Sequence, residues 1–390
     1  MPHQPEFRVF LPSHHWFEQN AGAPGADYRL AAALTALGHP AQPYFFDEAF
    51  KGHRRLGRWA QLLFPWAVAR ECFARQRRRE VDVIESTAGD LWVTRHLLRS
   101  QRGRRPLLAV RSHGVEHLHV RVEREAAARE GRRLSWRYAV YHSSFRLWEV
   151  AQDFRRADLA VVHSVVDRDF VVGTLGVAQG RVHIVPCGIS DRFFQDQVAP
   201  DAARLRRVLF VGSWIHRKGV DLLPEIARRV LGRHSDVEFT LAGVGVPVGE
   251  VLACFAPEQR QRIRVVPRIP NDALPGLMSS HGIFLFPSRC EGFGLVVVEA
   301  MARGLVIVAS PVGVVPEVIR NGKTGFLVEQ HLAEAFAAMV SEVIDAGGRS
   351  TAIGEGAQEA ARPFTWERAA RNRVELYRGA LATLGPTLAH

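Results

Sequence analysis

Apolar positions along the chain gather into short runs separated by stretches of helical spacing, and the whole pattern is laid down twice. Residues 7–11 form the first run, a Gly/Pro-containing loop follows at 20–25, and apolar positions at helical spacing fill 28–37 until Gly38. A strand, a loop and a helix in that order open a doubly wound parallel sheet. Residues 81–85, 107–111 and 159–163 read as further strands, each a short, largely apolar run bounded by polar or turn residues. Residues 182–188 close this half, and 200–206 read as a polar linker. The pattern then restarts with a strand at 207–211, a loop at 212–219 and a helix at 220–230. Strands are expected at 238–242 (ending in Gly243-Val244-Gly245), 264–266, 283–286, 306–309 and 325–328, with a helix at 295–303 among them. A long amphipathic helix, 366–384, ends the pattern. The reading is an α/β chain of two Rossmann-like, doubly wound domains, 1–200 and 201–362, with a closing helix in 363–390 expected to cross back to the first. Such sheets bind ligands at the carboxyl ends of their strands, so the two domains are expected to face one another across a cleft.

Composition narrows the class. Of 390 residues 47% are hydrophobic and 23% charged, a globular balance with room for two cores. No apolar run is long enough to span a bilayer, and residues 1–10 lack a signal pattern, so a cytoplasmic location is expected. Cys72, Cys187, Cys254 and Cys290 form no Cys-x-x-Cys pair, which argues against zinc ribbons and disulfide frameworks; Cys290, beside Glu291, is the one candidate reactive thiol. The formal charge is +11 and is carried almost wholly by arginine, since lysine occurs only at Lys51, Lys218 and Lys323. Arg54, Arg55, Arg58, Arg75, Arg77, Arg78, Arg79, Arg99, Arg102, Arg104 and Arg105 crowd the first third, interleaved with Trp59, Phe64 and Trp66. That mixture suits either a solvated basic face or a helix peripheral to an anionic membrane. No zinc finger, helix-turn-helix or aromatic RNA-binding signature accompanies the charge, so no specific nucleic acid partner is expected.

The stretch 287–300, Pro-Ser-Arg-Cys-Glu-Gly-Phe-Gly-Leu-Val-Val-Val-Glu-Ala, carries the most chemistry. A glycine turn running into a helix offers the backbone amides of Phe293, Gly294 and Leu295 to an anion. Glu299, about one turn into the helix, is placed to accept from ribose hydroxyls, and Glu291 to accept from a sugar hydroxyl. Lys218, on the loop expected to face the cleft, would neutralise a leaving diphosphate.

These residues resemble the retaining glycosyltransferase family 4, with its GT-B fold and Glu-x7-Glu motif, here Glu291 and Glu299. Val208-Leu209-Phe210-Val211-Gly212 with Lys218-Gly219-Val220-Asp221 resembles that family's diphosphate loop. Pro186-Cys187-Gly188-Ile189 resembles its interdomain Pro-Asn-Gly-Ile, and Gly313 to Pro316-Glu317 with 321–326 its downstream turn and strand. The resemblance implies a metal-independent hexosyltransferase that moves a sugar from a nucleotide-sugar donor to a hydroxyl on a polysaccharide, lipid-linked or small-molecule acceptor. It implies a donor-binding set of Gly25, Gly212, Ser213, Arg217, Lys218, Arg268, Glu291, Phe293, Gly294, Leu295 and Glu299, and catalytic roles for His113, Glu291 and Lys218. Ser213 stands where the family has a phosphate arginine, for which Arg217 would substitute. Val314 and Cys187 replace a usual glycine and asparagine, and Pro24-Gly25 stands where a glycine pair is usual.

In the first half, His113 follows the strand at 107–111 and is implied to hydrogen-bond the reacting sugar or support its leaving phosphate. His113, Glu116, His117 and His119 could form a metal site on a continuous helix, but Gly114 favours a loop. Asp167-Arg168-Asp169 matches the Asp-x-Asp signature of metal-dependent transferases, yet it follows Ser164, a good N-cap, and reads as the first turn of a helix. No cofactor is expected. The implied chemistry is departure of the nucleoside diphosphate, attack by the acceptor from the same face, and domain closure that excludes water. Lys218→Ala is expected to cost turnover and little stability, its loop being exposed. The rivals are a catalytically silent GT-B scaffold, motivated by Ser213 and Val314, a phosphorylase or an epimerase.

Overall fold

A computed structural model of the chain describes residues 7–18, 22–98, 105–129, 131–136, 138–196, 199 and 201–384. It divides into two compact units, Met1–Val120 with Arg133–Gly188 and Trp366–His390, and Ile189–Thr365 with Arg121–Arg132.

The first unit is built on a six-stranded sheet. Its strands are β1 (Val9–Pro12), β2 (Ala41–Tyr44), β3 (Val83–Thr87), β4 (Leu107–Arg111), β5 (Leu159–Val162) and β6 (Val182–Ile184). They lie in the order β2-β1-β3-β4-β5-β6, every pair parallel. β3 and β4 are buried from end to end, as strands covered by helices on both faces must be. The edge strand β2, with Gln42 and Pro43, was not expected from its polar sequence. Helix Gly22–Ala36 packs Leu30, Ala31 and Leu34 on the sheet, and helix Trp366–Thr383 adds Ala370, Val374 and Tyr377 to the same core.

The second unit repeats the plan with β7 (Arg207–Val211), β8 (Glu238–Ala242), β9 (Ile263–Val266), β10 (Ile283–Phe286), β11 (Val306–Ala309) and β12 (Phe326–Leu327). The order is β12-β11-β10-β7-β8-β9, again all parallel. The chain winds outward from β7 through β8 to β9, then returns to start again at β10. β7 and β10 are therefore the neighbours at which the winding reverses, the place where open α/β sheets hold ligands.

Some expected elements are corrected. Residues 22–25 of the expected first loop are already helical, and 20–21 lie outside the described residues. The expected linker is a short 3-10 turn, Ala202–Arg206, with Arg204 and Leu205 buried. Arg204 donates to the carbonyls of His281 and Arg303, so the segment is part of the second core's frame. Phe64, grouped in the sequence with the surface tryptophans, is wholly buried.

Candidate functional site

Two loops meet at the winding reversal of the second unit. After β7 the chain runs through Gly212 into the 3-10 turn His216–Lys218, which ends at Gly219 in the left-handed region, φ 71°. A Cβ on Gly219 would lie 1.9 Å from the carbonyl oxygen of Pro287, just past β10, so only glycine lets the two loops approach. The Arg289 amide donates to the Arg217 carbonyl at 2.8 Å. The Arg289 guanidinium donates to both carboxylate oxygens of Asp221, at 2.5 and 2.7 Å, and to the His216 carbonyl at 2.9 Å. This lattice fixes the backbone on which the cations stand.

Lys218 Nζ donates to Glu291 Oε1 at 2.6 Å, its stem lying over Gly212. Arg217 Nη1 donates to the Cys290 carbonyl at 3.0 Å and to Glu291 Oε2 at 3.4 Å. Burial opposes ionisation of Glu291, yet Lys218 and Arg217 overcome it and hold the carboxyl below its ordinary range. The Lys218 side chain is only 16% exposed, so the expected exposed loop lysine is instead a member of a half-buried ion-pair cluster. The Cys290 side chain is buried, which leaves no open thiol there.

Three residues after Glu291, Gly294 turns the chain at φ 94°, ψ 48° into helix Leu295–Ala302, and no side chain caps that helix. Phe293 is buried with its ring 6.1 Å from that of Phe364 and tilted 50° to it, while its carbonyl accepts from the Val314 amide at 2.8 Å. Gly313 passes so close that a Cβ would sit 2.4 Å from that carbonyl, which ties the downstream turn to the glycine loop. Leu295 and Glu299 are half-buried on the helix. Of the residues singled out in the sequence, the structure gathers Gly212, Arg217, Lys218 and Glu291, and sets Phe293, Gly294 and Leu295 at the adjoining helix start. Ser213 is exposed beyond Gly212, and Arg268 is exposed beyond the edge strand β9. No hydrogen bond or ion pair among the described residues brings either into the cluster.

His113 and Gly25 belong to the first unit. Gly25 is buried in the first turn of helix Gly22–Ala36, a helical glycine in place of the expected loop glycine. Its helix carries Asp27, which the sequence reading passed over. His113 Nε2 lies 2.8 Å from Asp27 Oδ1, and Arg111 Nε donates to the same oxygen at 2.8 Å. Desolvation opposes the Asp27 charge, but Arg111 and His113 keep its carboxyl well below the usual range. The ionised Asp27, an acceptor only, holds the His113 ring in place through Nε2. A cavity of about 200 Å³ adjoins, lined by His14, His15, Thr87, Arg111, His113 and His119 among others. Burial, with His14 and His113 adding to it, pushes His15 down to about 3. His14 and His15 follow β1 and Asp90 follows β3, the pair at which this sheet's winding reverses. His14 Nδ1 lies 2.7 Å from Asp90 Oδ2, and the buried Arg146 guanidinium reaches His14, the Ala88 carbonyl and Glu149. Neither Asp90 nor Arg146 stood out in the sequence. A charged residue inside an apolar run was the available signal.

His113 precedes helix Glu116–Arg129, which carries Glu116, His117 and His119. Asp167 and Asp169 lie on helix Val165–Gly173, whose N-cap Ser164 accepts from the Asp167 amide at 3.2 Å.

Residues 191–360 match the model of the family described as glycosyl transferases group 1. A D-inositol 3-phosphate glycosyltransferase 1 of Catenulispora acidiphila is 32% identical over 247 residues, 58% of this chain and 58% of that protein. A D-inositol 3-phosphate glycosyltransferase of Acidothermus cellulolyticus is 30% identical over 246 residues, 58% of this chain and 54% of that protein. The chain thus spans rather more than half the length of these curated relatives. Sucrose-phosphate synthase from Thermosynechococcus elongatus superimposes with a TM-score of 0.75 over 97% of this chain and 100% of that one, at 20% identity. HepE of Anabaena, solved with UDP-glucose, gives 0.69 over 96% of this chain and 100% of that one, at 17% identity. Identities that low speak to the fold alone, which is GT-B. The similarity to glycosyl transferases group 1 thus falls on residues 191–360, within the second unit.

Proposed function

We propose that the protein transfers a sugar from a nucleoside-diphosphate donor to a hydroxyl of an acceptor, with retention at the transferred carbon. The observation that carries the proposal is the Lys218–Glu291–Arg217 cluster beside an uncapped helix start, at the winding reversal of the second sheet. Two cations and a helix N-terminus are what a diphosphate leaving group requires. On binding, the diphosphate takes Lys218 and Arg217 as partners and lies against the amides that open helix Leu295–Ala302. Glu291 accepts from a sugar hydroxyl and Glu299 from the ribose. The bond from the anomeric carbon to the leaving phosphate oxygen breaks, and the acceptor oxygen bonds to the same carbon from the same face. The acceptor proton passes to the departing phosphate. Positive charge at the leaving group comes from side chains in this scheme, without a metal ion. Within the first unit, Asp27 orients the imidazole of His113, which can hydrogen-bond a hydroxyl of a bound substrate.

UDP-glucose is the first donor to test, because HepE was solved with it. Inositol phosphate is the first acceptor, from the names of the curated relatives. A lipid-linked acceptor on the cytoplasmic face of an anionic membrane is the alternative that the arginine-rich first unit favours. Melting in the presence of UDP-, GDP- and ADP-glucose tests the donor. The right one at about a hundredfold over its Kd contributes about 2.7 kcal/mol and raises the midpoint by several degrees. Glu291→Ala should lose both that shift and sugar transfer. A donor shift that survives Glu291→Ala and Lys218→Ala unchanged would refute the site.

A further inference from the structure

We propose that an exposed aromatic ridge on the first unit seats the protein on the interfacial region of an anionic bilayer. The inference deepens the membrane placement above by naming the surface that makes contact. Helix Arg58–Arg77 has two opposed faces. Ala60, Phe64, Val68 and Cys72, one turn apart, are buried in the core around β1 and β3. Trp59, Leu63, Trp66 and Arg70, also one turn apart, are exposed, Trp59 to 67% and Trp66 to 58%. The outer stripe thus exposes three large apolar side chains, two of them indoles, before it reaches Arg70.

The stripe does not end at that helix. Trp66 meets Trp92 edge to face at 5.9 Å, and Trp92 meets Trp148 at 5.4 Å. Phe145 stacks on Trp148 at 5.6 Å. Trp148 is 43% exposed and Phe145 40%. Both belong to a stretch in which the π-helical segment Tyr138–Phe145 runs into helix Arg146–Arg156. The segment also leaves Val140 62% exposed. Its wide turns interrupt the α-helical repeat and keep neighbouring apolar side chains on the outside. Three chain segments therefore pool their large apolar groups into one surface, which water alone would not favour.

Charge selects the occupant. Arg55 stands before the stripe, Arg70 within it and Arg77 and Arg79 beyond it, all exposed. A second copy of a chain with net charge +11 would set arginines against arginines. An anionic lipid surface accepts both components, guanidinium groups at the phosphates and indole rings at the headgroup boundary. No helix among the described residues is long and apolar enough to cross a membrane, so the ridge lies on the bilayer.

The test is co-sedimentation of the full chain with vesicles of phosphatidylcholine alone or with phosphatidylglycerol added. Wild type should bind the anionic vesicles, and binding should fall as salt is raised. Trp59→Ser, Trp66→Ser and Trp148→Ser together should weaken it by at least about tenfold. The same variant should keep the wild-type melting point and any nucleotide-sugar shift. If the triple variant melts lower, Trp59→Ser alone is read in its place. Failure of the donor assay leaves this measurement intact, because the ridge contains no residue of the donor cluster. Absence of binding, equal binding by the tryptophan variant, or a wild-type dimer that the variant dissolves would each overturn the proposal.

Discussion

Glu291 holds two cations at once, and each of its contacts does a separate job. Lys218→Ala should lower kcat/KM by about 10²–10³, the size expected when one preorganised leaving-group donor is lost. It should also lower the melting point, since it leaves a buried carboxylate with Arg217 alone at 3.4 Å. Adding Glu291→Gln removes the stranded charge, so the double variant should recover stability while staying inactive, as a double-mutant cycle would reveal. Because the folded pKa of Glu291 is depressed, its contribution is complete above the ordinary glutamate value and lost as pH falls toward the lowered one. His15 acts in the same direction over a higher window. It stays neutral in the fold down to about 3, while the unfolded chain takes up its proton near 6.5. The fold should therefore lose about 1.4 kcal/mol per pH unit for this residue below that point. His15→Gln should flatten the acid limb by that slope in urea titrations at pH 6.5 to 4. Lys218 and Glu291 were legible in the sequence because a glycine turn and a rare lysine advertise anion chemistry. Asp27 and Arg111 were not, because their partnership spans 84 positions and only folding brings them together.

Among the elements, the strands were read most closely. β4, β7, β8, β10 and β11 occupy the expected runs, since a strand covered on both faces must be continuously apolar. β2 escaped notice because an edge strand tolerates Gln42 and Pro43. The 3-10 turn Ala202–Arg206 was mistaken for a linker because two of its arginines look solvated, whereas Arg204 is spent on carbonyls inside the second unit. The contact between the two site loops depends on Gly219. Alanine there combines an αL conformation with a Cβ at 1.9 Å from the Pro287 oxygen. We expect Gly219→Ala to cost at least about 2 kcal/mol in stability. By pushing the loops apart it should also cut kcat/KM as Lys218→Ala does. Gly232→Ala, where an added Cβ meets nothing within 4 Å, is the matched control and should leave the melting point unchanged or raised.

At the scale of the whole molecule, Glu85 anchors helix Trp366–Thr383 to the first sheet. Wholly buried on β3, it accepts from Arg373 Nε at 3.2 Å and from the Tyr377 hydroxyl, and Arg111 Nη1 lies 3.6 Å away. Burial, with the Glu85 charge beside it, raises Tyr377 well above its ordinary value, so that its proton stays in place. Glu85→Ala should cost about 3–5 kcal/mol, because it leaves the buried Arg373 guanidinium without its carboxylate. Thermal unfolding should show that loss in the transition of the first unit, with any nucleotide-sugar shift of the second unit preserved. The same anchoring bears on biosynthesis. Ala370, Val374 and Tyr377 leave the ribosome after all of Ile189–Thr365, so the later unit has its sequence in hand while the earlier one still lacks part of its core. A chain truncated after residue 365 and released should thus carry a protease-resistant second sheet beside a first sheet that is still open to cleavage.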